Sequence, residues 1–330
     1  MENTALESLW ISWYPHRRTS GLCEAWGIPL EVISSRHQGL RRWLGQGVET
    51  VRLVLRHRPD VLFVQNPSLG LTVLAVWARG LFRYFLVVDA HNEGVRTFNR
   101  SSRLVRRLTR HLLRRADATI VTNAALAEDV SAAGGNPLIL PDKLPTPPPD
   151  LSHKPSGSIL PDVTVIATYA PDEPLSAIIE AAARMPEVRF AVSGNAKKFA
   201  RLHVNLPSNV ELTGFLADRD YWETLACSKV ICDLTLRPDC LVCGAYEGLT
   251  LARPMVLSDN PATRELFGHG AVLTQGNADA IVAALRQALD DLPSLESRAR
   301  ELREAFRERW HPQADSVRAA IVGAATGRNR

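Results

Sequence analysis

The chain has no run of about 18 apolar residues without charge, the length a membrane-spanning helix requires. Its most apolar stretch, 61-VLFVQNPSLGLTVLAVWARGLFRYFLVVDA-90, is interrupted by Gln65, Asn66, Pro67, Arg79 and Arg83. The first residues, MENTALESLWISW, lack the basic start and long apolar middle of a secretion signal. A cytoplasmic protein is therefore expected. Cysteine is sparse and odd in number: Cys23, Cys227, Cys232, Cys240 and Cys243. That count, in a long chain without a signal, excludes a disulfide scaffold and points to free thiols. No segment of roughly 20–50 residues repeats, which excludes a solenoid.

What is present is ordinary in bulk and uneven in detail. The 330 residues, 45% hydrophobic and 22% charged, suit a globular protein of about two domains. Net charge is +4, but residues 1–150 carry 19 Lys+Arg against 13 Asp+Glu, and residues 151–330 carry 20 against 22. The basic excess belongs to the first part, which is therefore expected to face anions: phosphates, nucleic acid or an acidic bilayer.

Short apolar runs alternate with helical patterns. Residues 8–14, 29–34, 61–65, 85–90 and 118–123 read as strands, with helices between them such as 40–58. Strands separated by helices mean crossover units and a parallel sheet. The segment 141-PDKLPTPPPDLSHKPSGSILPD-162 holds seven of the 21 prolines. It can be neither helix nor central strand and reads as an extended, semi-rigid linker. A second series follows, with strands near 163–168, 188–193, 209–214, 229–234, 254–259 and 271–274, and a mostly helical tail over 293–327. The expected fold is α/β: two Rossmann-like, doubly wound parallel-sheet domains facing across a cleft. The expected boundaries are a first domain over 1–143, a linker over 144–162, a second domain over 163–310, and a closing helix over 311–330 that packs back on the first domain. Ligands bind at the carboxyl ends of strands in such sheets.

The run 229-KVICDLTLRPDCLVCGAYEGLTLARPMVLSDNPATRELF-267 resembles the donor-binding region of GT-B glycosyltransferases. In that family two acids separated by seven residues precede a small-residue helix, a Pro-led strand and an S-D or T-D turn. Here these are Asp239, Glu247, the 251-LARP-254 stretch and Ser258-Asp259; the first acid is Asp where the common pattern has Glu. The spacing has a physical reading. Glu247 would lie early on a helix whose first turn points at the cleft, and a carboxylate there can accept two hydrogen bonds from ribose hydroxyls. Asp239 would lie on the preceding loop, nearer the transferred sugar. Backbone N–H groups around Gly244 would face the diphosphate, and Tyr246 would lie beside the nucleotide or under the helix. An ordinary surface loop with a capping acid is the plainer reading.

A second stretch, 165-VIATYAPDEPLSAIIEA-181, has Thr168 and Pro174 where many retaining members carry an Arg and a Lys. It looks instead like the T-x-x-x-D-E pattern of the chitobiosyldiphosphodolichol β-mannosyltransferase branch and its bacterial polysaccharide-biosynthesis relatives. The stretches 65-QNP-67 and 88-VDAHNEG-94 point the same way. This branch resemblance implies an inverting transfer from a UDP- or GDP-sugar to a lipid-linked or polysaccharide acceptor, with no metal or other cofactor. Related sequences often carry a Lys where Gly244 stands. The missing charge would then come from Lys197 or Lys198, after Gly194, or from Arg264.

An inverting transfer needs a base for the acceptor hydroxyl and stabilisation of the leaving diphosphate. In 89-DAHNE-93 the first candidate for the base is Glu93, then Asp89, with His91 hydrogen-bonding the donor. A buried acid that tethers its loop is the other reading of Asp89. In 15-PHRRTSG-21, Arg17 and Arg18 are expected at the cleft, with Gly21 in a loop whose N–H groups approach a phosphate. The segment 99-NRSSRLVRRLTRHLLRRAD-117 sets Leu104, Leu108 and Leu112 four residues apart and Arg103, Arg107, Arg110 and Arg114 on another face. It suits peripheral attachment to an anionic membrane on the inner face of the plasma membrane; a solvated basic face is the alternative. Nucleic acid is not expected as a partner, because aromatic side chains do not interleave these arginines. A sugar-nucleotide epimerase of the same fold and a catalytically silent homologue are the competing functions. The closely spaced Cys227, Cys232, Cys240 and Cys243 leave zinc binding as a minor one.

Overall fold

The computed structural model describes residues 6–66, 68–96, 102–151 and 160–328, with only the backbone of 201–202. The chain divides into two compact units: Met1–Lys143 with Arg309–Arg330, and Leu144–Glu308.

In the first unit the elements run β1 (Ser8–Ser12), α1 (Arg17–Trp26), β2 (Leu30–Val32), α2 (Gly39–His57), β3 (Val61–Asn66), α3 (Leu69–Phe82), β4 (Phe85–Ala90), α4 (Asn92–Val95), α5 (Arg103–Arg115), β5 (Ala118–Val121), α6 (Ala124–Ala132) and β6 (Pro137–Ile139). The strands form one sheet in the order β2-β1-β3-β4-β5-β6, and every pairing is parallel. All six residues of both β3 and β4 are buried, the mark of strands covered on both faces. Leu62, Val64, Leu86 and Val88 pack in one core with Leu71, Leu113 and Leu126 from the helices. β6 was not legible in the sequence: it is three residues long and opens on proline. It is one of the sheet's two edge strands, a position where proline's missing N–H is tolerated.

In the second unit the elements run β7 (Val163–Val165), α7 (Leu175–Ala183), β8 (Phe190–Ser193), a 3₁₀ helix (Ala196–Leu202), β9 (Val210–Gly214), α8 (Asp218–Cys227), β10 (Val230–Asp233), α9 (Cys243–Thr250), β11 (Met255–Ser258), α10 (Pro261–Phe267), β12 (Ala271–Thr274), α11 (Ala278–Asp290) and α12 (Leu292–Arg328). The sheet order is β12-β11-β10-β7-β8-β9. In both sheets the chain starts in the interior and reverses direction, between β1 and β3 and between β7 and β10. The loops on either side of such a switch point diverge and leave a crevice at the strands' carboxyl ends.

The proline-rich segment is not a loose tether where it is described. Arg219 of α8 donates to the carbonyls of Pro149 at 3.0 Å and Asp150 at 3.1 Å. Residues 152–159 of the expected linker lie outside the described residues. From Arg309 onward, α12 belongs to the first unit. There the buried Trp310 donates its indole N–H to the Pro141 carbonyl at 2.9 Å, and Gln313 donates to the Ile139 carbonyl at 2.9 Å. Trp310→Phe would leave a buried carbonyl without its donor, at a cost of about 1–3 kcal/mol. A lower urea midpoint and faster amide exchange over residues 313–325 are expected. An unchanged midpoint would mean the bond does not hold this helix end.

Candidate functional site

At the carboxyl ends of β1, β3 and β4 the first unit gathers a cluster of polar groups. β3 and β4 are in register, Gln65 opposite Asp89 and Asn66 opposite Ala90. The Asn66 side chain donates to the Gly94 carbonyl at 3.0 Å, and a Cβ on Gly94 would stand 2.9 Å from Asn66 Cγ. The 65-QN and 88-VDAHNEG stretches are thus one structural piece; Pro67 of the first lies outside the described residues. Asp89 is fully buried and accepts from Arg18 Nε at 2.8 Å. Arg18 is buried as well, and its Nη1 donates to Asp142 at 2.6 Å and the Leu140 carbonyl at 3.0 Å. Burial opposes ionisation of Asp89, but the Arg18 charge, aided by His91, outweighs it and holds the carboxyl below its ordinary range. His91 stands 3.8 Å from the other oxygen of Asp89, and its ring packs at a tilt of 55° against that of His16 with centroids 4.1 Å apart. Burial draws His91 down to about 4, with the His16 and Arg18 charges adding to the effect and Asp89 opposing it. His16 is lowered for the same first reason. Both imidazoles are therefore neutral near pH 7 and can accept a hydrogen bond. Glu93 is exposed on the first turn of α4.

Two expectations for this unit need correction. Arg18 does not reach toward a phosphate, because its side chain is wholly buried between two carboxylates. Gly21 is not in a loop: α1 already begins at Arg17, so helical hydrogen bonds take up the N–H groups at Ser20 and beyond, as Ser20 N to His16 O at 3.0 Å shows. Arg17 is exposed at the helix start. His16, next to it, was missed; its only signal in the sequence was its place after the first strand.

In the second unit the switch point between β7 and β10 is bolted by carboxylates. Glu173 accepts from the N–H of Thr168 at 2.9 and 3.0 Å, its hydroxyl at 2.6 Å, and the N–H of Ala170 at 3.2 Å. Asp172 pairs with Arg237 at 2.8 Å and accepts from Thr235 Oγ1 at 3.2 Å, joining the loop after β7 to the loop after β10. Gly194, at φ +100, lies so close to the Ala167 carbonyl that a Cβ would stand 1.9 Å from it; only glycine fits. Lys198 donates to the Thr168 carbonyl at 3.2 Å, and Lys197 is exposed. Arg264 pairs with Asp259 at 2.7 Å.

Asp233 ends β10 in a buried position, and its Oδ2 accepts the Gly244 N–H at 2.8 Å. A Cβ at residue 244 would meet that oxygen at 2.5 Å, which is why a lysine has no room here. Burial pushes the Asp233 carboxyl well above the usual range; the Gly244 N–H opposes this, and the charges of Glu247, Glu173 and Asp172 reinforce it. Glu247, on α9, is also buried and accepts from the Tyr221 hydroxyl at 2.5 Å. Asp239 stands half-buried on the loop before α9 with φ 50. The expectation that the Gly244 N–H serves a diphosphate departs from the structure, since Asp233 occupies it. Tyr246 lies buried in the core, edge-on to Phe267 at 5.0 Å and Phe306 at 6.1 Å, which favours the place under the helix over the one beside the nucleotide. Asp233, Tyr221 and Arg237 were missed; an Asp at a strand's carboxyl end was the one usable signal. All five cysteines are free. Among the described residues no three His, Cys, Asp or Glu side chains stand together as metal ligands, and no helix is long and apolar enough to cross a membrane.

On α5, Thr109, Leu112 and Leu113 are buried, whereas Leu104 is 75% exposed and Leu108 is at the surface. The leucines thus do not share one packed face. Arg103, Arg107 and Arg110 are exposed, as is Arg114, which lines a cavity at the helix's other end.

Two parallel sheets, each with its switch point, define the GT-B class of two-domain α/β proteins. Solved structures share the arrangement across nearly the whole chain. HepE from Anabaena in complex with UDP-glucose is 16% identical, with a TM-score of 0.72 over 97% of this chain and 100% of that one. Sucrose-phosphate synthase from Thermosynechococcus elongatus is 13% identical, with a TM-score of 0.75 over 96% and 100%. UDP-GlcNAc 2-epimerase from Methanocaldococcus jannaschii is 13% identical, with a TM-score of 0.55 over 91% and 99%. Residues 5–139 match the family model of the glycosyl transferase 4-like domain, and residues 160–309 match that of glycosyl transferases group 1. No curated protein sequence matches. The chain belongs to the GT-B glycosyltransferases of this 4/1-like kind and is a glycosyltransferase.

The raised Asp233 carboxyl gives a test of the site's electrostatics. The folded state binds this proton more tightly than the unfolded chain does. Stability contributed by Asp233 is therefore full below the ordinary carboxylate value of about 4 and is lost as pH rises toward the raised value. Asp233→Asn keeps an oxygen for the Gly244 N–H and has no proton to lose. Its urea midpoint should decline less than wild type between about pH 4 and pH 7. Parallel curves would contradict a protonated Asp233.

Proposed function

We propose that the protein transfers a sugar from a nucleoside-diphosphate donor, a UDP- or GDP-sugar, to a lipid-linked or polysaccharide acceptor, with inversion and without a metal ion. The carrying observation is the buried Glu247 on α9, oriented by the Tyr221 hydroxyl beside a carboxyl that burial keeps protonated. With one oxygen of Asp233 taken by the Gly244 N–H, Glu247 is the group in that pair suited to accept hydrogen bonds from ribose hydroxyls. Asp239, on the loop ahead of α9, contacts the sugar. Thr168 and Gly194 shape the loops after β7 and β8, and Lys197 and Lys198 offset the diphosphate charge.

In the first unit Glu93 is the base for the acceptor hydroxyl. Asp89, committed to Arg18, holds His91 and the loop rather than taking the proton, and the neutral His91 accepts a hydrogen bond from the transferring sugar. Exposed Leu104 and Leu108, among Arg103, Arg107 and Arg110, favour peripheral contact with an anionic membrane, which suits a lipid-linked acceptor. HepE was solved with UDP-glucose and with UDP, which makes a UDP-sugar the first donor to try.

Calorimetry against a panel of UDP- and GDP-sugars is the direct test. At least one should bind, and Glu247→Ala should weaken it by roughly 1.5–3 kcal/mol, the size of a hydrogen bond to a charged group. Glu93→Gln should bind the donor normally and transfer no sugar; unchanged turnover would remove Glu93 as the base. Absence of binding across the panel would sink the donor assignment.

A further inference from the structure

A cavity lies in the first unit at the other end of its sheet, away from the strands' carboxyl ends. Its volume is about 780 Å³. The floor is Asp117, which precedes β5 and accepts the Leu86 N–H at 2.8 Å where β4 begins. Around it stand Arg79, Arg114, Arg115 and Arg328. Four guanidiniums against one carboxylate leave three net positive charges (four minus one) before His111, also on the wall, is counted.

The carboxylate does not neutralise this group. Asp117 is shared by Arg79 at 2.5 Å and Arg328 at 2.8 Å. Arg114, Arg115 and His111 have no carboxylate partner among the described residues. Burial lowers the proton affinity of Arg79, and the charges of Arg328 and Arg115 lower it further against the pull of Asp117. Helix C-termini commonly carry basic residues to complement their dipoles, and Arg79 does donate to the Arg115 carbonyl. That role needs one cation per helix end. It accounts for Arg79, Arg328 and one of Arg114 and Arg115, but not for a fourth arginine or for three helix ends meeting around one hollow. Concentrated guanidiniums, with Arg79 half-buried and the other three exposed, are what a multiply charged phosphate requires. Trp77, 81% exposed on the rim, offers an apolar wall to whatever the phosphate carries.

We propose that this cavity is a binding site for a diphosphate-bearing compound, separate from the transfer site. Because Arg328 comes from the end of α12, occupancy also clamps that helix end onto the first unit.

The test is calorimetric titration of inorganic pyrophosphate into the full chain, wild type and Arg114→Ala/Arg115→Ala. Both side chains are exposed and form no ion pair among the described residues, and thermal unfolding confirms that the double variant folds. Wild type should bind, and the variant should bind at least about tenfold more weakly, as loss of charge-assisted hydrogen bonds implies. Glu247→Ala is titrated in parallel, because pyrophosphate also mimics a donor's diphosphate; binding at the cavity survives in that variant whether or not the donor assignment holds. Sedimentation with phosphatidylcholine vesicles, with and without phosphatidic acid, separates the sources. If the acid-dependent fraction falls in the double variant, the phosphate is a lipid headgroup. If only the pyrophosphate titration changes, the compound is free in solution. Equal pyrophosphate affinity in wild type and double variant, or no binding to wild type, overturns the proposal.

Discussion

The hydrogen bond from the Gly244 N–H to Asp233, at 2.8 Å, fixes where α9 starts relative to the end of β10. The rest of the second unit's site depends on it. A glycine is required at 244 because the carboxyl sits where a Cβ would go. With the helix start fixed, Glu247 falls one turn further on, within reach of Tyr221. Burial, against the pull of this bond, holds the carboxyl protonated rather than paired with a cation, which spares the larger cost of burying a charge. Neighbouring acids have other fates in the same space. Glu173 spends its charge on backbone N–H groups, and Asp172 spends its own on Arg237.

The first unit solves a similar problem the opposite way. Asp89 stays ionised because Arg18 is buried against it, and that pair in turn sets the environment of His91 and His16. Breaking such a pair by removing one partner leaves a charge stranded, so the pair's effect on activity would run through the placement of the imidazoles. Polar groups near the carboxyl ends thus divide into those that hold loops in place and those that remain accessible. Glu93, Lys197 and Asp239 are among the accessible ones.

Most strands were legible because parallel strands buried on both faces are continuous apolar runs, and 61–65, 85–90 and 229–234 are such runs. β6 was not, since three residues opening on Pro137 carry too little pattern. The acids of α9 and the loop before it could be picked out by spacing, because local sequence sets which residues share a helix turn. Burial could not be read. Arg18 was expected at the cleft, yet it is locked between Asp89 and Asp142; Tyr246 was left between the nucleotide and the underside of the helix, and it packs on Phe267 and Phe306. Leu104, Leu108 and Leu112 have one spacing and two environments, because α5 meets the core only over its second half. Tyr221 and Arg237 were invisible because their partners, Glu247 and Asp172, are 26 and 65 residues away in sequence.

The central claim is that the loops of the second unit's switch point hold the nucleotide sugar. Hydrogen–deuterium exchange of the full chain, with and without a saturating UDP-sugar, addresses it without presupposing an acceptor. Slower exchange that includes residues 168–173 and 239–250 is the predicted result. Protection elsewhere with none in those two segments would contradict it.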